Sequence, residues 1–186
     1  MIQILLAIDT QLTQIINSII PHNSFFDLFF SFLSMKGGSI AIWIAIVLFL
    51  IIFEGKRHHK FIITFCVAVL ITALLVNVVI KNIVRRPRPS FAKASEGRPV
   101  STNSCPKDFS FPSGHASTAF AAATVISFYD KRRRWFYCSI AGLIAFSRVY
   151  LGCHYFLDVL MGGIIGYVIS FSLQTFPYTS PFRRKN

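Results

Sequence analysis

Long apolar runs dominate this chain, and short polar loops interrupt them. Five runs read as candidate membrane-spanning helices: "SIAIWIAIVLFLIIF" from Ser39, "FIITFCVAVLITALLVNVVI" from Phe61, "ASTAFAAATVISFY" from Ala116, "WFYCSIAGLIAFSRVYLG" from Trp135 and "YFLDVLMGGIIGYVISFSL" from Tyr155. A crossing takes about 20 mostly apolar residues. The run from Ala116 is short, so it must borrow flanking residues or cross a thinner region. The N-terminus has a different pattern. Leu5, Ile8, Leu12, Ile15 and Ile19 recur at helical spacing, with Asp9, Gln11 and Asn17 elsewhere on the helix. That suits a helix lying in the membrane interface better than a span. No Lys or Arg precedes it, which argues against a cleaved signal peptide. "SFFDLFFSFLS" follows until "MKGG" breaks the pattern, and it fits either a short, partly inserted helix or part of a sixth span. The pattern predicts an all-α polytopic membrane bundle of five to six helices, a single domain over residues 1–186 with residues 1–36 as an amphipathic, partly inserted segment.

Composition supports a membrane protein: 54% of residues are hydrophobic and the mean hydropathy is +0.59. The formal charge is +12, from 19 Lys+Arg against 7 Asp+Glu. The basic residues fall in short clusters between apolar runs. Anionic headgroups and topology signals therefore explain them better than nucleic acid, which needs a continuous basic face. If the five runs cross alternately, "EGKRHHK" (Glu54–Lys60), "DKRRR" (Asp130–Arg134) and the tail "RRKN" share one side. The positive-inside rule makes that side cytoplasmic. The loop from about Lys81 to Ser113 and the turn near His154 then face outward. That loop is itself basic, against the rule, so its cations either meet lipid headgroups or have another task. No C-x-x-C pair suggests a metal site. Cys66 and Cys138 lie in apolar runs and read as inert packing residues, whereas Cys105 and Cys153 fall on one expected face, where pairing is an open option.

Three clusters on the outward side carry candidate chemistry. "KNIVRRPRPS" (Lys81 to Ser90) ends a span with four cations, and Pro87 and Pro89 stop the helix. Taken alone, such cations can simply snorkel to the interface. "FPSGHAS" (Phe111 to Ser117) starts the next run: Pro112 and Ser113 suit a helix start, Gly114 permits close backbone approach, and helix-end amides attract anions beside His115. Its plainer reading is a capped helix with an interfacial histidine. "SRVYLGCHYFLD" (Ser147 to Asp158) places His154 and Asp158 four apart, on one face of a helix, where the carboxylate can hold Nδ1–H and present Nε2. Asp158 sits in an apolar run and needs a partner. A structural Asp–His pair is the alternative. Together the clusters supply cations, amides, two histidines and an orienting carboxylate, a set suited to gripping a phosphoryl group while one histidine attacks and the other protonates the leaving oxygen.

The pattern Lys81-x6-Arg88-Pro89, Pro112-Ser113-Gly114-His115 and Ser147-Arg148-x5-His154-x3-Asp158 resembles the type 2 phosphatidic acid phosphatase family, whose superfamily includes the vanadium-dependent haloperoxidases. The resemblance spans about Lys81 to Asp158 and implies a membrane lipid phosphatase needing no metal and no cofactor. It implies His154 as nucleophile forming a phosphohistidine, Asp158 as its orienting partner and His115 as general acid. Lys81, Arg88 and Arg148 would hold phosphate oxygens, with Ser113 and Gly114 adding hydrogen bonds. Small members of this size resemble bacterial undecaprenyl-diphosphate phosphatases, with phosphatidic acid or phosphatidylglycerol phosphate as the alternative substrate. The expected partners are a lipid phosphate and the bilayer, with no nucleic acid. The expected location is the bacterial plasma membrane with the site facing outward. Two other classes remain open at this point: a non-catalytic headgroup-binding or scrambling protein, and an oxidant using bound vanadate.

Overall fold

The computed structural model describes residues 2–53, 59–89 and 105–175. These form helices and connecting turns, with no strand among the described residues. Helix α1 (Ile2–Ile19) is followed by α2 (Ser24–Ser34) and α3 (Lys36–Phe53). A continuous helix then runs from His59 to Val84, as α4 (His59–Leu74), a π-helical segment (Leu75–Ile80) and the short α5 (Lys81–Val84). Within "FPSGH" the chain enters α6 (Gly114–Tyr129), followed by α7 (Arg134–Tyr150) and α8 (Phe156–Thr175).

Helix α6 is the centre of the bundle. Ala116, Ala119, Ala121, Ala122, Ala123, Val125 and Ile126 are all buried, on every side of the helix. Such small residues let neighbouring helices approach closely where lipid gives little hydrophobic drive. Helix α8 answers with Gly162, Gly163 and Gly166. A Cβ at Gly162 would lie 2.6 Å from the Ser113 carbonyl oxygen, and one at Gly166 would collide with that of Ser117. Outside this core, large apolar residues such as Ile83, Leu70, Val168 and Phe171 are exposed, as lipid-facing surfaces require.

Helix α1 is built inside out. Its stripe Leu5, Ile8, Leu12, Ile15 and Ile19 points away from the protein, while Asp9 and Thr13 are buried against the start of α8. The helix lies across the ends of α7 and α8, and Asn17 donates to the carbonyl of Val149. Helix α2 meets α3 at a bend of 71° at the predicted break. It packs on the end of α7 through Phe30, whose ring lies 4.4 Å from that of Tyr150.

His59–Val84 and Phe156–Thr175 are long and apolar enough to cross a membrane, and a third crossing is reached if α2 and α3 act as one bent span. Among the described residues, length and composition thus support two crossings, or three with the bent pair, and do not confirm the expected five to six. Helix α6 has 16 residues, about 24 Å at 1.5 Å per residue, short of a hydrocarbon core of about 30 Å.

The two ends of the bundle differ as the sequence predicts. Lys131–Arg133 form a 3-10 turn at one end, where Phe61 meets Tyr129 at 4.9 Å and Arg133 lies 5.9 Å from the Phe49 ring. The three chemical clusters all lie at the other. Residues 54–58, the middle of the outward loop and the tail "RRKN" lie outside the described residues. Cys105 and Cys153 form a disulfide with Cα atoms 5.3 Å apart. Cys66 departs from its expected packing role, because its position on α4 turns it outward to an exposed surface; Cys138 is half-buried.

The α6–α8 contact predicts that Gly166→Val will lower the melting temperature in detergent, at a cost of about 1–3 kcal/mol from overpacking. Gly142→Ala, where a Cβ meets nothing within 4 Å, should leave it nearly unchanged. Equal melting temperatures for wild type and Gly166→Val would refute the packing.

Candidate active site

The first cluster is positioned by an abrupt helix end. The π-helical segment re-phases the last turns, and Lys81 emerges buried rather than in lipid. The helix closes at Arg85, whose φ of 52° turns the chain sharply. Arg86, Pro87 and Arg88 then run back over the bundle end, and Ser110 ties this strand of chain down by donating from its amide to the Arg86 carbonyl and from its hydroxyl to that of Pro87.

The second cluster begins α6 as its residues predict. Ser113 is the N-cap, and its Oγ accepts from the amide of Ala116. Its own amide donates to the Asp158 carbonyl at 2.9 Å, stitching α6 to α8. Gly114 is needed for close approach: a Cβ there would stand 2.5 Å from Oδ1 of Asn77 on the π-helical segment.

The third cluster owes its spacing to one carbonyl. The Arg148 C=O at the end of α7 accepts from the amides of both Cys153 (3.0 Å) and His154 (3.1 Å). Gly152, at φ 65°, supplies the left-handed residue this tight return needs. His154 thus sits in the turn rather than on a shared helix face with Asp158, as expected from the i,i+4 spacing, because α8 starts only at Phe156. The two side chains still lie side by side, with Nδ1 of His154 3.5 Å from Oδ2 of Asp158, although Nδ1 makes no hydrogen bond among the described residues.

A cavity of about 570 Å³ opens beside these elements. Lys81, Arg88, Gly114, His115 and His154 line it, so five of the eight expected site residues share one space. Asp158 stands behind His154. Ser113 is buried in its capping role and does not line the cavity. Arg148 does not line it either. It is fully buried, and its Nη1 bonds the carbonyl and hydroxyl of Ser34 on α2. Its Nε and Nη2 have no hydrogen-bond partner among the described residues. Two unpaired guanidinium nitrogens in a buried position are costly unless an anion completes them.

One contact assigns the histidine tautomer. Arg88 Nη1 lies 3.0 Å from His154 Nε2 and also donates to the Cys153 carbonyl at 2.7 Å. A guanidinium has only donors, so Nε2 must accept, which places the imidazole proton on Nδ1, facing Asp158. Burial pushes the His154 pKa well below the usual histidine range, and the charges of Arg148, Arg88 and Lys81 push it further the same way. The ring is neutral at pH 7 with its Nε2 lone pair directed at the cations that would hold an anion.

Two acidic groups and one cation at the site were missed by sequence reading. Asp108 bridges Lys81 Nζ and Arg88 Nη2, each at 2.5 Å. Burial acts to raise its pKa, but hydrogen bonds and charge from Lys81 and Arg88 outweigh that and hold it at about 2. Asp108 carried no motif signal, being one polar residue in a polar loop. Arg86 bonds Asp158 and also pairs with Asp9 of α1. The expectation that Asp158 needs a partner pointed toward such a cation without identifying it. Among the described residues, no group of three or more His, Cys, Asp or Glu side chains is arranged to hold a metal ion.

Comparison with known proteins identifies the family. The sequence profile of the PAP2 superfamily matches residues 61–181. The chain is 33% identical over 151 residues to an undecaprenyl-diphosphatase of Sulfolobus acidocaldarius, covering 80% of this chain and 70% of that protein. It is 37% identical over 117 residues to phosphatidylglycerophosphatase B of Bacillus subtilis, covering 56% of this chain and 53% of the relative. The crystal structure of a transmembrane PAP2-type phosphatidylglycerolphosphate phosphatase from Bacillus subtilis superposes with a TM-score of 0.65 over 97% of this chain and 89% of that one. At 21% identity, this last likeness speaks for the fold alone. The three motifs, the helical fold that joins them and the profile match over most of the chain lead to one assignment: this integral membrane protein belongs to the PAP2 superfamily of phosphatases.

Proposed function

We propose that the protein is a metal-independent lipid phosphatase acting through a phosphohistidine on His154, with undecaprenyl diphosphate as its substrate and undecaprenyl phosphate as the product. The observation that carries the mechanism is the Arg88 Nη1 to His154 Nε2 contact, which fixes the lone pair of the nucleophile within reach of the phosphate-binding cations. Lys81 and Arg88 line the cavity and hold the phosphoryl oxygens, and Arg148, buried outside that lining with Nε and Nη2 unbonded among the described residues, turns these nitrogens to the phosphate once it is bound. Gly114 adds its cavity-facing backbone, and Ser113 supports it as the helix cap. Nε2 attacks phosphorus, the bond to the bridging oxygen breaks, and His115 passes a proton to that leaving oxygen. Asp158 supports the charge on the imidazole through Nδ1–H. Water then cleaves the N–P bond, giving its proton to His115 and releasing inorganic phosphate.

The relative in Sulfolobus acidocaldarius favours the diphosphate substrate, and the phosphatidylglycerophosphatase relative supports phosphatidylglycerol phosphate as the second reading. Ser39 and Ile40 of α3 and Asn77 also line the cavity, and we take the gap between these helices as the route by which a lipid tail leaves. We place the protein in a bacterial plasma membrane as one domain. The long helices cross fully, and the short α6 crosses as a buried centre with its flanks. The active site faces outward. The Cys105–Cys153 disulfide at the active-site end supports that orientation, since disulfides persist on oxidising faces.

Three measurements check this reading. Brief exposure to radiolabelled lipid diphosphate in excess EDTA should give an acid-labile, alkali-stable label on His154, and His154→Ala should give none. Label elsewhere, or activity lost to EDTA and restored by Mg²⁺, overturns the mechanism. Asp108→Asn removes the carboxylate that competes for Lys81 and Arg88, so the inhibition constant for inorganic phosphate should fall about twofold to fivefold, a modest change because the pair is partly exposed. A higher constant would mean that Asp108 assists anion binding. For orientation, in a background lacking Cys66 and Cys138, an impermeant maleimide on intact cells should label Asn82→Cys and spare Lys131→Cys. The reverse pattern turns the protein over.

A further inference from the structure

Helix α1 carries none of the family's motif residues, yet it reaches the catalytic histidine through two ion pairs. Asp9 is 1% exposed. Its Oδ1 accepts from the amide of Leu157 in the first turn of α8 at 3.0 Å. Its Oδ2 lies 2.7 Å from Nη2 of Arg86. The other arm of the same guanidinium, Nη1, donates to Oδ1 of Asp158 at 2.7 Å. The Tyr155 ring covers the guanidinium, 3.8 Å from its carbon. Asp158 then presents Oδ2 to the Tyr155 amide at 3.0 Å and to Nδ1 of His154. Asp9, Arg86, Asp158 and His154 form one contiguous line of side chains, all buried except Arg86, which is 11% exposed.

Charge makes this line more than an anchor. A buried Arg86–Asp158 pair by itself would be neutral, and the carboxylate could do little for a positive charge growing on His154. The second carboxylate changes that. With Asp9 already balancing Arg86, the group of three carries one net negative charge, held against the imidazole. A low-dielectric site makes that charge count for far more than it would in water. The need arises when Nε2 takes the phosphoryl group and Nδ1 keeps its proton, leaving a cationic ring.

We propose that Asp9 and Arg86 are positioning residues for the reaction: Asp9 neutralises and steers Arg86, and Arg86 holds Asp158 as a net anionic partner of His154. This rests on the reading of His154 as the nucleophile.

The test separates charge from anchoring. Asp9→Asn keeps an acceptor for the Leu157 amide but removes the charge. Its rate of phosphohistidine formation from radiolabelled lipid diphosphate, per folded molecule in a single turnover, should fall about tenfold, with KM within about twofold of wild type. Thr13→Val is the control. Thr13 Oγ1 holds the Phe156 amide at 3.0 Å and so anchors α1 on α8 without charge. It should lower the melting temperature and leave the single-turnover rate within about twofold. The double variant Asp9→Asn/Arg86→Gln restores one net negative charge to the group, so it should label at least as fast as Asp9→Asn alone. Three results overturn the proposal: Asp9→Asn labelling His154 at the wild-type rate, Thr13→Val slowing the step as much as Asp9→Asn, or the double variant falling by the product of the single losses. An active wild-type protein that labels at a residue other than His154 removes the nucleophile assignment instead, and this inference with it.

Discussion

The close approach of α6 and α8 is the constraint on which the site depends. The Ser113 amide reaches the Asp158 carbonyl at 2.9 Å, and it can do so because no side chain stands at Gly162. That contact fixes the start of one helix against the start of another. His115 follows in the first turn of α6, and Asp158 lies in the first turn of α8. Two motifs separated by some forty residues of chain become one surface through a backbone hydrogen bond. The same logic explains the alanine-rich centre: a bulkier α6 would push α8 away and carry Asp158 from His154.

Charge is the second constraint, since this end of the bundle buries it heavily. Lys81, Arg86, Arg88 and Arg148 face the carboxylates Asp9, Asp108 and Asp158. Asp108 is shared between Lys81 and Arg88, and Arg86 is shared between Asp9 and Asp158. Among the described residues, Arg148 has no carboxylate within ion-pair distance, and it rests on Ser34. The arrangement is one positive charge in excess, and the excess lies where nitrogens remain unpaired. A phosphoryl group entering there completes an incomplete set of contacts, so binding it relieves a cost as well as adding attraction.

Much of this was legible in the sequence, for reasons that differ by residue. The start of α6 followed from Ser113 and Gly114, whose local geometry is strict. The end of the long helix before Pro87 followed from the missing proline donor. Spacing misled only where it assumed a helix: His154 lies in a turn that the Arg148 carbonyl and Gly152 shape, and no periodicity signals such a turn. Asp9 was visible as a polar residue but was placed on the wrong kind of face. Amphipathic reasoning assumes that the apolar stripe meets the protein, whereas in lipid the stripe faces outward and the few polar residues face inward. An acid in an otherwise apolar helix was the signal, and its partner, Arg86, was counted among the four cations of the first cluster but given no role of its own.

The cations do two things at once, and the two are linked. Together with burial they keep His154 neutral, with its lone pair free, and in the proposed mechanism they also attract the phosphate. A nucleophile so surrounded by positive charge would resist becoming a cation itself. In that mechanism the substrate removes the resistance. Its phosphate oxygens would cancel the field of Lys81, Arg88 and Arg148 as it binds, leaving near the imidazole the net negative charge of Asp9, Arg86 and Asp158. The resting site would then hold the ring neutral, and the occupied site would let it carry the positive charge that a phosphohistidine requires. Catalysis of this kind needs the substrate's own charge as a component, so ligands with less charge on the transferred group should be poor substrates even where they fit the cavity.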